Sequence, residues 1–138
     1  MRKLIKTAFL FLLILDSSSL LNSQTPAPQA AFGIYLGGSS VTVKDLLAQK
    51  SINVLCPPCD STIRFTVLSY NLITVPKIGN PVISYSSNNS ISLFSYNSIS
   101  LLKPGDRVIV EAILAQATQQ DKVVSDSLRM SPIILTIR

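Results

Sequence analysis

Histidine is absent from this 138-residue chain, and charge is scarce: twelve lysines and arginines and seven aspartates and glutamates make up only 14% of it. Without histidine, the commonest general base and the commonest neutral metal ligand are both missing. Serines are plentiful, yet there is no imidazole to activate one, and no Gly-x-Ser-x-Gly elbow occurs. Two cysteines fall short of the four ligands of a structural zinc site, so only a site shared between two chains would hold one. Basic residues are spaced singly beyond the N-terminus, so the lysine and arginine stripe that neutralises nucleic-acid phosphates is missing too. The shortages together exclude most enzyme classes and nucleic-acid binding, and no cofactor is expected. An apolar share of 47% excludes a disordered charged tail, and the length suits one domain.

What is present begins with an address label. Arg2, Lys3 and Lys6 precede the unbroken apolar run Ala8 to Leu15, which ends at Asp16 and three serines. A basic segment, a short apolar segment and a small-residue segment are the layout of a secretory signal peptide, here residues 1–23 with cleavage after Ser23. Eight apolar residues in a helix cover about 12 Å, far short of a ~30 Å hydrocarbon core, so no permanent membrane anchor is expected. No cysteine lies near the junction to be acylated. Removing the segment takes away three basic residues and one acid, leaving nine basic and six acidic side chains and a net charge of +3 instead of +5. The protein is expected to be exported, to the periplasm or beyond.

Residues 24–31 (QTPAPQAA) read as an extended, mobile linker, and residues 32–138 as the domain. Phe32 to Leu36 reads as a first strand closed by Gly37-Gly38. Thr42-Val-Lys-Asp45 is a capping box ahead of Leu46 and Leu47, so a short helix starts there. Ile52 to Leu55, Ile63 to Val75 and Val82 to Ser86 read as strands, the second from its alternation of Ile63, Phe65 and Val67 with Arg64 and Thr66. Ile91, Phe94, Ser95, Ser98, Leu101 and Leu102 have the spacing of one face of a three-turn helix, although serine and asparagine around them are poor helix formers. Lys103-Pro104-Gly105-Asp106 is a turn with proline and glycine where a type II turn requires them. Beyond it Val108, Val110, Ala112 and Leu114 form one strand face and Ile109 and Ile113 the other, as in a strand interior to the fold. Gln119 to Lys122 is the expected hairpin tip, and Ile133, Leu135 and Ile137 form a last strand after Pro132. The expected fold is mostly β and β-sandwich-like, with one or two short helices in a single small domain.

Four segments resemble one known family. Gly37-Gly-Ser-Ser-Val-Thr-Val-Lys-Asp-Leu-Leu-Ala-Gln49, Phe65-Thr-Val-Leu-Ser-Tyr70, Leu101-Leu-Lys-Pro-Gly-Asp-Arg-Val-Ile-Val-Glu-Ala-Ile113 and Arg129-Met-Ser-Pro-Ile-Ile-Leu-Thr-Ile137 are similar, in order and spacing, to the C-terminal domain of GldM. That family, also called PorM, belongs to the type IX secretion and gliding-motility apparatus of Bacteroidetes. The resemblance implies a helix over residues 92–102 and a periplasmic protein–protein module rather than an enzyme. It also implies a protein partner in the cell envelope, such as a component of the secretion ring, and self-association as a homodimer. The sequence holds none of the family's membrane helix, helical bundle or immunoglobulin-like modules, so transmission of torque is not expected of it.

Three features remain as candidate chemistry. Cys56-Pro-Pro-Cys59 in an exported chain most simply forms one disulfide. A redox-active pair, as in a periplasmic thiol–disulfide factor, is the alternative, but it needs helix N-terminal N–H groups, and Pro57 and Pro58 remove two of them. Paired carboxylates for glycoside chemistry would have to come from Asp45, Asp60, Asp106, Glu111, Asp121 and Asp126, of which Asp45 and Asp106 already serve a cap and a turn. Glu111 stands inside an otherwise apolar strand, and the serine- and asparagine-rich stretch from 84 to 100 carries Tyr85, Phe94 and Tyr96. These four residues are the candidate interaction surface, for a protein or, alternatively, for a carbohydrate.

Overall fold

The computed structural model describes residues 27–138. The expected signal peptide, residues 1–23, and the start of the linker lie outside the described residues. In chain order the elements are β1 (Gln29–Phe32), β2 (Tyr35–Leu36), β3 (Ser40–Val41), α1 (Val43–Leu47), β4 (Ile52–Leu55), β5 (Ile63–Val75), β6 (Val82–Ser86), α2 (Leu93–Ser100), β7 (Arg107–Gln119), β8 (Lys122–Met130) and β9 (Ile133–Ile137). Six strands form the larger sheet in the order β3-β9-β7-β5-β6, with β8 pairing the second half of β7 beyond the end of β9. The smaller sheet is β2-β1-β4. Between the layers lies one core, to which the larger sheet contributes Tyr70, Leu72, Val108, Val110 and Leu135, the smaller Phe32 and Ile52, and the helices Leu46 and Ile99. This is the mostly β, two-sheet architecture with two short helices that the sequence predicts.

Local signals acted where they were read. Thr42 Oγ1 accepts from the Asp45 N–H and Asp45 Oδ2 accepts from the Thr42 N–H, each at 3.0 Å, completing the capping box. The hairpin tip falls at Gln120 and Asp121, with φ of 52° and 63°, the doubly left-handed backbone of a type I′ turn. Two local readings are corrected. The chain reverses at Gly33 (φ 60°) instead of running straight from Phe32 to Leu36, so that stretch is a hairpin rather than one strand. The first strand also starts at Gln29, inside the segment read as linker. Ala30 and Ala31 are buried there because they pair with Val54 and Asn53 of β4, and alanine is small enough to sit between layers without leaving a periodic signal.

Helix α2 shows a subtler correction. Its buried residues are Ser95 and Ile99, continued by the flanking Ile91 and Leu102, while Phe94 and Leu101 face solvent. The sequence spacing groups Phe94 and Leu101 on one face with Ile91, Ser95 and Leu102, and the structure separates them. A serine faces inward because its hydroxyl is satisfied: Ser95 Oγ lies 2.8 Å from Ser84 Oγ on β6 and 3.1 Å from Ser92 Oγ at the helix N-cap. A buried hydroxyl with partners costs little, so hydrophobicity alone misplaces the helix's rotation.

Strand β7 departs from its predicted alternation in the same instructive way. Val108 and Val110 face the core, but the inward face then continues through Ile113, Ala115 and Ala117 instead of Ala112 and Leu114. The switch is a β-bulge. Asn71 pairs with Glu111 and Ser69 with Leu114, so β7 uses three residues where β5 uses two. The extra residue is Ala112, held at φ 51°. One step further β5 compensates with an extra residue of its own, Leu68, between the Ser69–Leu114 and Val67–Ala115 pairs. An L-residue in left-handed backbone costs roughly 1–2 kcal/mol. Glycine avoids that cost but loses about 0.5–1 kcal/mol of chain entropy. Ala112→Gly is therefore expected to stabilise the protein, by up to about 1 kcal/mol, where alanine to glycine in an ordinary strand position destabilises. Urea denaturation of the two chains checks the sign.

The turn before β7 is tied down by its acid. Asp106 is buried, and its carboxylate accepts from the Lys77 N–H at 2.9 Å and the Lys103 N–H at 2.7 Å, clasping the β5–β6 loop to the turn after α2. These two backbone donors hold the Asp106 carboxyl below its ordinary range. The Thr42 N–H and hydroxyl do the same for Asp45, and the Thr62 N–H and hydroxyl for Asp60. All three are more acidic folded than unfolded, so their stabilisation is complete above an unfolded value near 4 and is lost as pH falls through the folded values. With no histidine to titrate, stability should be level between about pH 5.5 and 8. At the other extreme, burial pushes the Tyr70 phenol up, so stability falls once the unfolded chain's tyrosine ionises, above about pH 10. Melting temperatures measured across this range should show a plateau with an acid edge below about pH 4.

Candidate interaction surface

The inner face of the larger sheet is consumed by the core, which leaves its outer face. Register fixes which side chains line up there. Ile83 of β6 pairs with Ile73 of β5, Ile73 with Ile109 of β7, and Ile109 with Ile134 of β9, so four isoleucines form a continuous row across four strands. The outer two are open to solvent, Ile83 by 64% and Ile134 by 44%. On one side of this row lies a second, Tyr85–Asn71–Glu111; on the other lies Val75–Arg107–Thr136. At the β9 end, Ile134 and Thr136 also line an open cleft shared with residues 27–30 and Leu36. The expectation that both apolar sides of the 108–114 strand are interior is thus half right: β7 is central within its sheet, but Ile109 lies on the outer side.

The four residues predicted as an interaction surface are divided between two sides of the molecule. Tyr85 and Glu111 share a row on the outer sheet face with Asn71 between them, and Tyr85 is largely exposed. Phe94 lies on α2, which packs against the inner side of β6 through the Ser84–Ser95 contact, and is exposed with Leu93 and Leu101. Tyr96 is turned inward: its ring packs on the core and its hydroxyl donates to the Gln49 carbonyl, joining α2 to the end of α1. The sequence reading missed the isoleucine row. Each isoleucine occupies an outward position of a separate strand, and only the pairing register joins them.

Cys56 and Cys59 form a disulfide, closing a turn in which the Cys59 N–H donates to the Cys56 carbonyl at 3.0 Å. Asp60 continues the loop by accepting from the Thr62 N–H and hydroxyl, and the chain enters β5 at Ile63. No helix follows the second cysteine, so the helix N-terminal donors that lower a thiol's pKa in redox-active pairs are not built here. Beside the loop is an open cleft of about 460 Å³ lined by Val54, Leu55, Ile63 and Phe65. The acids are dispersed: Asp45 caps α1 and pairs with Arg138 at 3.7 Å, Asp60 and Asp106 close turns, Asp121 lies in the β7–β8 hairpin, and Glu111 stands alone on the outer face. Among the described residues no three acidic or thiol groups converge on a point where a metal ion would sit.

Compared with known proteins, the chain matches the GldM C-terminal domain over residues 26–138. No curated protein matches it. The family match spans every described element from β1 to β9, in a domain of the β-rich kind that the four sequence segments imply. The chain belongs to the GldM C-terminal domain family.

Proposed function

We propose that this protein is an exported, non-catalytic interaction module of the cell envelope that docks on a component of the type IX secretion and gliding apparatus. The observation that carries the reading is the family match, which takes in every described residue of the chain. Export is supported by the basic and apolar leader in residues 1–23. Among the described residues no helix is long and apolar enough to cross a membrane. We assign the docking contact to the open side of α2, where Leu93, Phe94 and Leu101 are 74%, 55% and 78% exposed on a helix whose inward residues already complete the core. Apolar anchors of this kind dominate binding energy when they enter a partner's pocket.

Pull-down of the exported form from its native envelope tests the reading. Secretion-ring components are expected in the eluate, and Leu101→Asp should reduce their recovery about tenfold while leaving the melting temperature within a few degrees. Recovery of none of them overturns the assignment. N-terminal sequencing of the recovered chain should begin at Gln24.

A further inference from the structure

We propose that the end of the molecule formed by the β5–β6 loop, the turn before β7 and the end of β9 associates reversibly with the anionic phospholipid surface of a bilayer, with Ile78 entering the acyl boundary. This goes beyond docking on a protein, since it assigns a second surface and a different class of ligand.

Basic residues that the sequence spaces singly are gathered here by the fold. Lys77 and Lys103 both donate their backbone N–H groups to the Asp106 carboxylate, at 2.9 and 2.7 Å, and Arg107 follows directly. Beside them β9 ends: the Ile137 N–H donates to the Asp106 carbonyl at 2.8 Å, and Arg138 comes next. Arg138 reaches Asp45 at 3.7 Å, which brings in Lys44 on α1. Lys44, Lys77, Lys103, Arg107 and Arg138 are all exposed. Thus five of the nine basic side chains in residues 27–138 meet two of the six acids at this end. The remaining four basic side chains are matched by the remaining four acids, so the net side-chain charge of +3 is carried here. Neither local acid offers a free carboxylate. Asp106 is buried with both oxygens on backbone N–H groups, and Asp45 is taken up by the Thr42 N–H and Arg138.

Ile78 supplies the apolar element. It is 94% exposed, in a loop bracketed by Pro76 and Pro81. Its base is fixed: Asp106 holds the Lys77 N–H, and the Lys77 side chain lies across Gly105 so closely that a Cβ there would strike it. Gly79, at φ 116°, then turns the chain. In a bilayer Ile78 reaches the acyl boundary while the neighbouring cations stay with the phosphates, the division of labour of amphipathic surface segments. A folded acidic protein would need a pocket matched to Ile78, whereas the acyl layer takes it without one. One inserted side chain and one charge cluster make a weak, salt-sensitive attachment and not an anchor.

Vesicle binding decides the matter, and the lack of tryptophan in the chain supplies the probe. In the exported chain purified from the envelope, Ile78→Trp is expected to give an emission that moves to the blue on vesicles of equal parts phosphatidylglycerol and phosphatidylcholine. Val124→Trp, at an exposed position of β8 beyond the end of β9, should give no shift. In co-sedimentation, wild-type chain should bind these vesicles and leave phosphatidylcholine vesicles alone. It should be released at about 1 M salt, where screening acts within about 3 Å. Lys77→Gln combined with Lys103→Gln should weaken binding about 25-fold, at about fivefold per cation. Both substitutions keep the backbone N–H groups that Asp106 accepts, so the melting temperature should hold. Ile78→Asp should weaken binding about tenfold. Arg64→Gln, exposed and paired with Thr118 near the far end of β7, should change nothing. Equal binding to the neutral vesicles, binding to neither, wild-type affinity in the double lysine variant, or an unshifted Ile78→Trp emission overturns the proposal. An acidic protein as the true occupant of this end would show as binding to neither. The vesicles hold no protein, so failure here is distinct from a failed envelope pull-down.

Discussion

A chain carrying Val110→Asp is expected to be unfolded at room temperature, while one carrying Ile109→Asp folds. The two residues are adjacent on β7 and equally apolar. Val110 is fully buried, paired with Leu72 on one side and Ile133 on the other, and its side chain enters the core between the layers. A carboxylate there has no partner, and burying one costs several kcal/mol even after the site relaxes or the group takes up a proton. A domain of this size has a total stability of about 5–15 kcal/mol, so the loss removes most or all of it. Ile109 points to the outer face, where a carboxylate stays hydrated. Far-ultraviolet circular dichroism and urea titration separate the two outcomes. If both variants fold equally well, the register of β7 against β5 and β9 is wrong.

Phe32→Ala should lower stability by about 3–5 kcal/mol, the range for truncating a fully buried phenylalanine, and Phe94→Ala should change it by no more than about 0.5 kcal/mol. Phe32 has no exposed surface and closes β1 against Ile52 of β4 and Tyr35 of β2, beneath the larger sheet. Its removal leaves a cavity that the two layers fill only in part, because each is held by its own ladder of hydrogen bonds. Phe94 is 55% exposed on α2 and gives up little on truncation. Equilibrium unfolding in urea, with equal slopes for the three chains, measures both differences. A loss below about 1 kcal/mol for Phe32→Ala would mean that the smaller sheet is not a true layer of the core.

Nothing in composition distinguishes these two phenylalanines. Phe32 opens a strand pattern, and helical spacing groups Phe94 with Ile91, Leu101 and Leu102 on one face. Phe32 is buried because β1 pairs with β4, a contact between residues twenty positions apart at Phe32–Ile52. Phe94 is exposed because Ser95 finds hydroxyl partners on β6 and at the helix cap, and so turns the helix by one position. The same division runs through the candidate surface. Phe94 and Tyr85 were recognised as exposed aromatics in a polar stretch, yet they lie on different sides of the molecule, and Tyr96 from the same stretch is spent joining two helices. Glu111 was legible as an oddity in an apolar strand; its relation to Arg107 and to the isoleucine row was not.

By itself the sequence determined what is local or categorical. Both long strands, the capped helix α1, the proline–glycine turn and the last strand follow from alternation, cap chemistry and backbone stereochemistry, which act within a few residues. The shortage of histidine and of clustered charge, the disulfide spacing and the family membership are likewise written in one dimension. Tertiary structure alone decided which face of each element is covered. The bulges at Ala112 and Leu68 shift the phase of two strands part-way along, and a one-residue shift exchanges the two faces of a strand. Whether four isoleucines form one row or four unrelated positions depends on pairing between strands far apart in the chain. That pairing is set by the sum of the core contacts and by no single residue.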